Sequence, residues 1–137
     1  ADLMREAAPA EWDAQKRRVY EDIQRLMINR LDYSDMFKIM DGLEYNGLML
    51  YSMVQAENGE PVWSNIYIRN FETRDNEIYV DPNLSDKVLI GEDGMSVFAY
   101  SFTDNCFEIR DKASTGYVIE SHTNFSALLS ALIDMVG

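Results

Sequence analysis

Cysteine, histidine, proline and glycine are all scarce in this chain, and each shortage excludes a class of protein. The single cysteine, Cys106, and the single histidine, His122, exclude an internal disulfide framework and a metal site of clustered His and Cys. Three prolines and seven glycines in 137 residues argue against a disordered or fibrous chain. The glycines occur singly, so there is no phosphate-binding glycine loop.

Long hydrophobic runs are also missing. No run approaches the roughly 20 apolar residues that cross a membrane, and the N-terminus lacks the pattern of a secretory signal. With one cysteine, this predicts a cytoplasmic protein and a reduced, half-buried thiol. A catalytic Cys106–His122 pair is the alternative, and it requires the two side chains to be adjacent in space.

Positive charge is in short supply. The chain has 12 Lys and Arg against 24 Asp and Glu, a formal net charge of -12. Residues 1–30 contain six residues of each sign, so the whole acidic excess lies in residues 31–137. Such a chain repels nucleic acid, anionic membranes and its own copies, which favours a monomer, and it attracts a basic protein. Solubility alone explains the acidity equally well.

The first part of the chain is predicted to be helical. An amphipathic pattern indicates a helix over residues 9–30, with Pro9 in its first turn. A short helix is predicted at about 33–41, with Asp32 or Ser34 as its cap and Gly42 as its stop. Residues 47–54 then have the pattern of a buried strand, and residues 66–68 begin either a strand or a helix that runs to Arg74.

The last third of the chain has the clearest β pattern. Strands are predicted at 87–91, 95–102, 106–110 and 116–121, separated by tight turns, which is typical of an antiparallel meander. A helix follows from about Asn124, with Thr123 or Asn124 as its cap. The prediction is one α+β domain over residues 1–137, with a mostly antiparallel sheet, N-terminal helices and a C-terminal helix packed on it.

Motifs that carry chemistry are hard to find. The acidic segment from Asp75 to Asp81 lacks the spacing and central glycine of a calcium loop, and Glu92-Asp93-Gly94 is typical of a hairpin turn. We therefore predict no catalytic, cofactor-binding or metal-binding residues and a protein that is not an enzyme. An enzyme that uses acidic residues with a metal is the alternative, and a deep pocket of converging carboxylates would favour it.

Aromatic residues cluster near acidic ones in the middle of the chain. Tyrosine and tryptophan suit protein interfaces because they combine apolar area with a polar group, although many such residues belong to cores. The residues that we predict to be exposed and to bind a partner are Glu44, Tyr45, Trp63, Tyr67, Glu72, Asp75, Glu77, Tyr79, Glu92 and Asp93.

The order of several short motifs over residues 31–135 resembles the SUKH superfamily, in particular its YrhA-like branch. The motifs are Tyr33-x-x-x-Phe37-x-x-x-Asp41-Gly42, Leu43-Glu44-Tyr45-Asn46-Gly47-Leu48, Leu50-Tyr51-Ser52, Asn70, Arg74, Leu89-Ile90-Gly91-Glu92, Phe98-Ala99-Tyr100, Asp111, Gly116-Tyr117-Val118-Ile119-Glu120 and Phe125-x-x-Leu128-Leu129. The chain departs from the family pattern at Leu31-Asp32, where Leu-Pro is usual, and at Asp41-Gly42, where Asn-Gly is usual.

The resemblance implies an α+β fold with helices on a mostly antiparallel sheet and no catalytic residues. It also implies that Gly91 and Gly94 are turn or close-approach positions. Many bacterial members of the superfamily are immunity proteins that bind polymorphic toxins, often nucleases. The expectation is therefore a non-enzymatic domain that binds and neutralises a basic toxin. The alternative is a regulatory or scaffold module without a toxin partner.

Overall fold

The computed structural model of the chain describes residues 14–53, 56–57, 60–61, 65–74 and 81–136, and it has an α+β fold. The helices are α1 (Ala14–Asn29), α2 (Leu31–Ser34), α3 (Ile66–Arg74) and α4 (Phe125–Val136), and a 3-10 turn, Asp35–Lys38, follows α2. The strands are β1 (Leu43–Tyr45), β2 (Leu48–Leu50), β3 (Ala56–Glu57), β4 (Glu60–Pro61), β5 (Lys87–Glu92), β6 (Ser96–Ser101), β7 (Cys106–Asp111) and β8 (Val118–His122). The start of the predicted N-terminal helix, with Pro9, lies outside the described residues.

The main sheet is antiparallel throughout. Its six described strands follow the order β1-β2-β5-β6-β7-β8, so β1 and β8 are its edges, while β3 and β4 form a separate ribbon. The predicted meander of four strands is β5 to β8, joined by the three predicted turns. This confirms the predicted α+β fold.

Aromatic rings join the helices to one face of the sheet. The ring of Tyr33 in α2 lies 6.2 Å from that of Phe107 in β7 and 5.2 Å from that of Phe125 in α4. Tyr20 in α1 stacks on Tyr67 in α3, with ring centroids 5.5 Å apart. These contacts belong to one buried core, so the three longer helices are held to the sheet mainly by apolar burial.

Helix α3 lies beside the part of β5 that β2 does not reach. The pairing of β2 with β5 is limited to Gly91 and Glu92 of β5. Farther along β5, the Asn70 side chain accepts a hydrogen bond from the Leu89 N–H (2.8 Å) and donates to the Leu89 carbonyl oxygen (2.9 Å). These bonds satisfy backbone groups that a longer β2 would otherwise pair. Of the two structures predicted for residues 66–74, the helix is therefore the correct one.

The predicted helix at 33–41 is shorter than expected and is capped differently. Residue Arg30 occupies the N-cap of α2 without a side-chain hydrogen bond, so neither Asp32 nor Ser34 caps it. Asp32 instead accepts a hydrogen bond of 2.7 Å from the N–H of Phe125, the first residue of α4. Asn124 caps α4, because its Oδ1 accepts from the Ala127 N–H at 2.8 Å.

The predicted strand over residues 47–54 is divided differently in the structure. Strand β2 is confined to Leu48–Leu50, and an additional strand, β1, precedes it across a tight turn. Asn46 and Gly47 form that turn with φ values of 49° and 86°, which suit asparagine and glycine. The expected buried strand is therefore half of a short hairpin.

Candidate functional site

One end of the sheet carries a groove of about 450 Å³. The turns from β1 to β2 and from β5 to β6 meet there with the end of β7, because alternate turns of an antiparallel meander lie at the same end. Met135, near the end of α4, also lines the groove. Its lining consists of Asn46, Gly47, Asp93, Gly94, Met95, Ser96, Asp111, Ile119 and Met135.

Apolar side chains in and beside this groove are exposed. Met95 is 81% exposed and Tyr117, just before β8, is 63% exposed. Val118 and Ile119 in β8, and Ile133 and Met135 in α4, are exposed as well. Three of them, Met95, Ile119 and Met135, line the same groove, and apolar side chains exposed together mark an interaction surface more often than isolated exposed residues do.

Two carboxylates lie in the groove, and two more are next to its apolar residues in sequence. Asp93 and Asp111 line the groove, Glu120 follows Ile119 in β8, and Asp134 precedes Met135 in α4. Asp93 also holds its turn, since its Oδ1 accepts from the N–H groups of Met95 (2.8 Å) and Ser96 (2.7 Å). We call the following set the sheet-end surface: Asp93, Met95, Asp111, Tyr117, Ile119, Glu120, Asp134 and Met135.

A second cleft, of about 390 Å³, adjoins the groove and shares Gly47, Asp93 and Gly94 with it. Its centre is Glu92, whose carboxylate accepts hydrogen bonds from the Tyr51 hydroxyl (2.7 Å), from Lys112 Nζ (2.8 Å) and from Arg69. Two cations therefore neutralise this carboxylate, and it adds little to the negative field of the sheet-end surface. Glu92 and Asp93 have separate partners, as expected for a turn rather than a catalytic carboxylate pair.

The environment of Glu92 lowers the pKa of its carboxyl. Burial, the largest influence, raises the pKa of the Glu92 carboxyl, but hydrogen bonds from Lys112 and Tyr51 and the charge of Arg69 lower it, and the net pKa lies below its ordinary value of 4.5. A lowered folded-state pKa means that the ionised group stabilises the fold above the unfolded-state pKa. This stabilisation disappears as the pH falls through the folded-state pKa.

The Glu92→Gln variant is expected to have a lower free energy of unfolding than wild type at neutral pH. Its free energy of unfolding is also expected to fall less than that of wild type as the pH is lowered. Urea unfolding measured from neutral pH down to about pH 3 tests this, because wild-type protein loses the Glu92 contribution below its unfolded-state pKa and the variant has none to lose. Glu44→Gln is the control, since the Glu44 carboxylate is exposed and has no ion-pair partner among the described residues. Parallel pH curves for Glu92→Gln and wild type would contradict the assignment.

The structure separates the residues that were predicted to bind a partner. Glu92 and Asp93 lie at the groove, and Glu72 is linked to Glu92 through Arg69, which bonds to both. Glu44 and Tyr45 are exposed on the other edge strand, β1. The predicted residues that lie outside the described part of the chain are Trp63, Asp75, Glu77 and Tyr79.

Tyr67 is a correction to the predicted set. It is only 2% exposed, because its ring stacks on Tyr20 between α1 and α3. Sequence reasoning also missed the apolar members of the sheet-end surface, such as Met95 and Met135. The run Tyr117-Val118-Ile119 at the start of the last strand was the available signal, since the final strand of a meander is an edge.

The structure does not favour a catalytic Cys106–His122 pair. The register of β7 and β8 places His122 opposite Phe107, so Cys106 projects to the other face of the sheet. Burial raises the pKa of the Cys106 thiol, and the nearby Glu108 and Asp104 carboxylates raise it further. A raised pKa disfavours the nucleophilic thiolate.

Within residues 14–53, 56–57, 60–61, 65–74 and 81–136, no group of three or more His, Cys, Asp or Glu side chains is arranged to hold a metal ion. Asp81, from the acidic segment singled out above, serves a turn: its Oδ2 accepts from the Thr115 hydroxyl at 2.7 Å and its Oδ1 from the Asn83 N–H at 2.9 Å. Among these same residues, no helix has the length and apolar character of a membrane span.

Comparison with known proteins gives one informative likeness. The chain is 33% identical over 79 residues to YrhA, an uncharacterized protein of Escherichia coli (strain K12). The matched region covers 58% of this chain and 55% of YrhA, so the chain spans little more than half the length of that relative. No protein-family model and no solved structure matches the chain.

Proposed function

We propose that the chain is a cytoplasmic, monomeric, non-enzymatic protein-binding domain of the SUKH type, which binds and neutralises a basic toxin. The observation that carries this proposal is the sheet-end surface, where the exposed side chains of Met95, Ile119 and Met135 line one groove with the carboxylates of Asp93 and Asp111. The likeness to YrhA is compatible with the resemblance to the YrhA-like branch. It says nothing about a partner, which is inferred from the chemistry of the surface.

The composition of the surface suits a protein partner. An apolar centre excludes water from the contact, while charges at the rim steer the encounter and fix the orientation. The rim and the net charge of -12 are both negative, so the complementary partner is cationic. A nuclease carries such cationic side chains where it holds nucleic-acid phosphates. Covering that region would block the nuclease from its substrate.

Reversing two rim charges is expected to weaken toxin binding at least about tenfold and to abolish protection of poisoned cells. The variant is Glu120→Lys with Asp134→Lys, two exposed carboxylates outside the turns, of which Glu120 Oε1 lies 3.5 Å from His122 Nε2. The measurements are calorimetric affinity for the toxin domain encoded beside this gene and growth of cells that express the toxin. Absence of binding and of protection by the wild-type chain would contradict the proposal.

A matched control separates a local effect from the change in net charge. Glu21→Lys with Asp104→Lys alters the net charge equally, but Glu21 lies in α1 and Asp104 lies in the β6–β7 turn at the opposite end of the sheet. We expect this control to slow association slightly and to leave protection intact, because distant charges act mainly on the encounter rate. Equal loss in both variants would show that the sheet-end surface is not the contact.

A further inference from the structure

Strand β8 is an open edge of the main sheet. It pairs with β7 along one side, and no other described strand pairs with its outer side. Since backbone groups of a strand point alternately to its two sides, about half of the β8 N–H and C=O groups face away from β7. Such a row of groups is a template on which another extended chain can pair.

The edge has some of the features that discourage such pairing, namely its short length, the charge of Glu120 and an irregular register with β7, and it lacks others. It lacks proline, and the apolar residues Tyr117, just before the strand, and Val118 and Ile119, its first two residues, are exposed. A shift of register between Ile109 and Arg110 places Ile119 at an irregularity of the β7–β8 ladder, and Ile119 lines the groove with Met135. An added strand would thus lie beside a cavity for its side chains.

We propose that β8 receives an extended, cationic strand of the partner, which joins the main sheet antiparallel or parallel to β8 and places apolar side chains in the groove. This inference rests on the proposed function and specifies the mode of binding. Backbone hydrogen bonds to β8 supply affinity, and the groove and the acidic rim select the side chains.

The charge of Glu120 identifies the partner as a cationic chain rather than a second copy. Glu120 is the central residue of β8, so antiparallel self-pairing about the strand centre would set two Glu120 carboxylates directly opposite each other. Like charges in that position are unfavourable, whereas a lysine or arginine opposite Glu120 is favourable. Asp93 and Asp111 line the groove, so a cationic side chain is favoured there as well.

The test uses a defined probe, a blocked peptide of about eight residues with alternating lysine and valine, and the full chain. Hydrogen exchange is expected to slow at the backbone amides of residues 117–122, and methyl NMR shifts are expected at Met95 and Met135. Glu120→Lys is expected to weaken peptide binding at least about tenfold while the circular dichroism spectrum stays unchanged. The control peptide keeps the lysines but has proline at two internal valines, and it is expected to give no protection at β8.

Several results would overturn the inference. They are no binding of the lysine–valine peptide, equal protection by the proline peptide, protection away from β8, or a β8-mediated dimer in sedimentation. If the toxin binds with protection elsewhere, strand addition is wrong and the proposed function stands. If the peptide adds at β8 but the chain neither binds nor neutralises the toxin, the proposed function is wrong and strand addition stands.

Discussion

Alanine at Gly91 is expected to destabilise the fold by about 3 kcal/mol, because this position has no room for a side chain. A Cβ atom there would lie closer than 3.0 Å to the carbonyl oxygen of Met49, and it would lie 2.9 Å from Leu50 Cδ2 and 3.0 Å from Phe98 Cδ2. The first of these atoms belongs to the backbone of β2, so it cannot rotate away. Strands β2 and β5 would have to separate where they pair.

Gly94→Ala is the matched control for Gly91→Ala. Gly94 lies three residues farther along, in the β5–β6 turn, and a Cβ atom there would meet nothing within 4 Å. Urea unfolding of both variants separates the close contact from a general effect of losing a glycine. Similar unfolding midpoints for the two variants would contradict the role assigned to Gly91. Of the two glycines that the family resemblance singled out, Gly91 is a close-approach position and Gly94 a turn residue.

The sheet was predictable from sequence where local patterns agree with tertiary packing. Strands β5 to β8 are apolar segments separated by turn residues, and the chain order of a meander gives its topology directly. Strand β1 was missed because its three residues are mostly exposed and carry no alternating pattern. Helix α3 was undecided because its position depends on Asn70 bonding to β5, a contact made across 19 residues of sequence.

The candidate surface was predictable only in its chemistry. The number of carboxylates in the sequence predicts a negative surface, but several of these carboxylates form ion pairs within the protein. Glu108, for example, pairs with Arg110 within the sheet, with both side chains less than 10% exposed. The predicted set contains only acidic and aromatic residues, so it left out the exposed methionines. Met95 and Met135 line one groove because of how α4 packs on the sheet, and no local sequence pattern encodes that packing.

Arg74→Leu is expected to cost about 3 kcal/mol of stability, at the lower end of the range for breaking a buried ion pair. The Arg74 side chain is 1% exposed, and it donates to Asp22 of α1 and to the Lys87 carbonyl oxygen of β5. Arg74 ends α3, so one guanidinium joins three elements. Leucine would leave the Asp22 carboxylate and the Lys87 carbonyl without these bonds, and the partial exposure of Asp22 moderates the loss.

A second substitution distinguishes the ion pair from simple loss of packing. Arg74→Leu with Asp22→Leu removes both charges, and it is expected to recover part of the stability because no unpaired carboxylate remains. Unfolding free energies of the two single variants and the double variant give the coupling energy. If the losses simply add, the Asp22–Arg74 contact does not link α1 to α3. A positive coupling energy would show that the Asp22–Arg74 ion pair helps to hold α1 against α3. This pair lies at the end of the sheet away from the proposed partner.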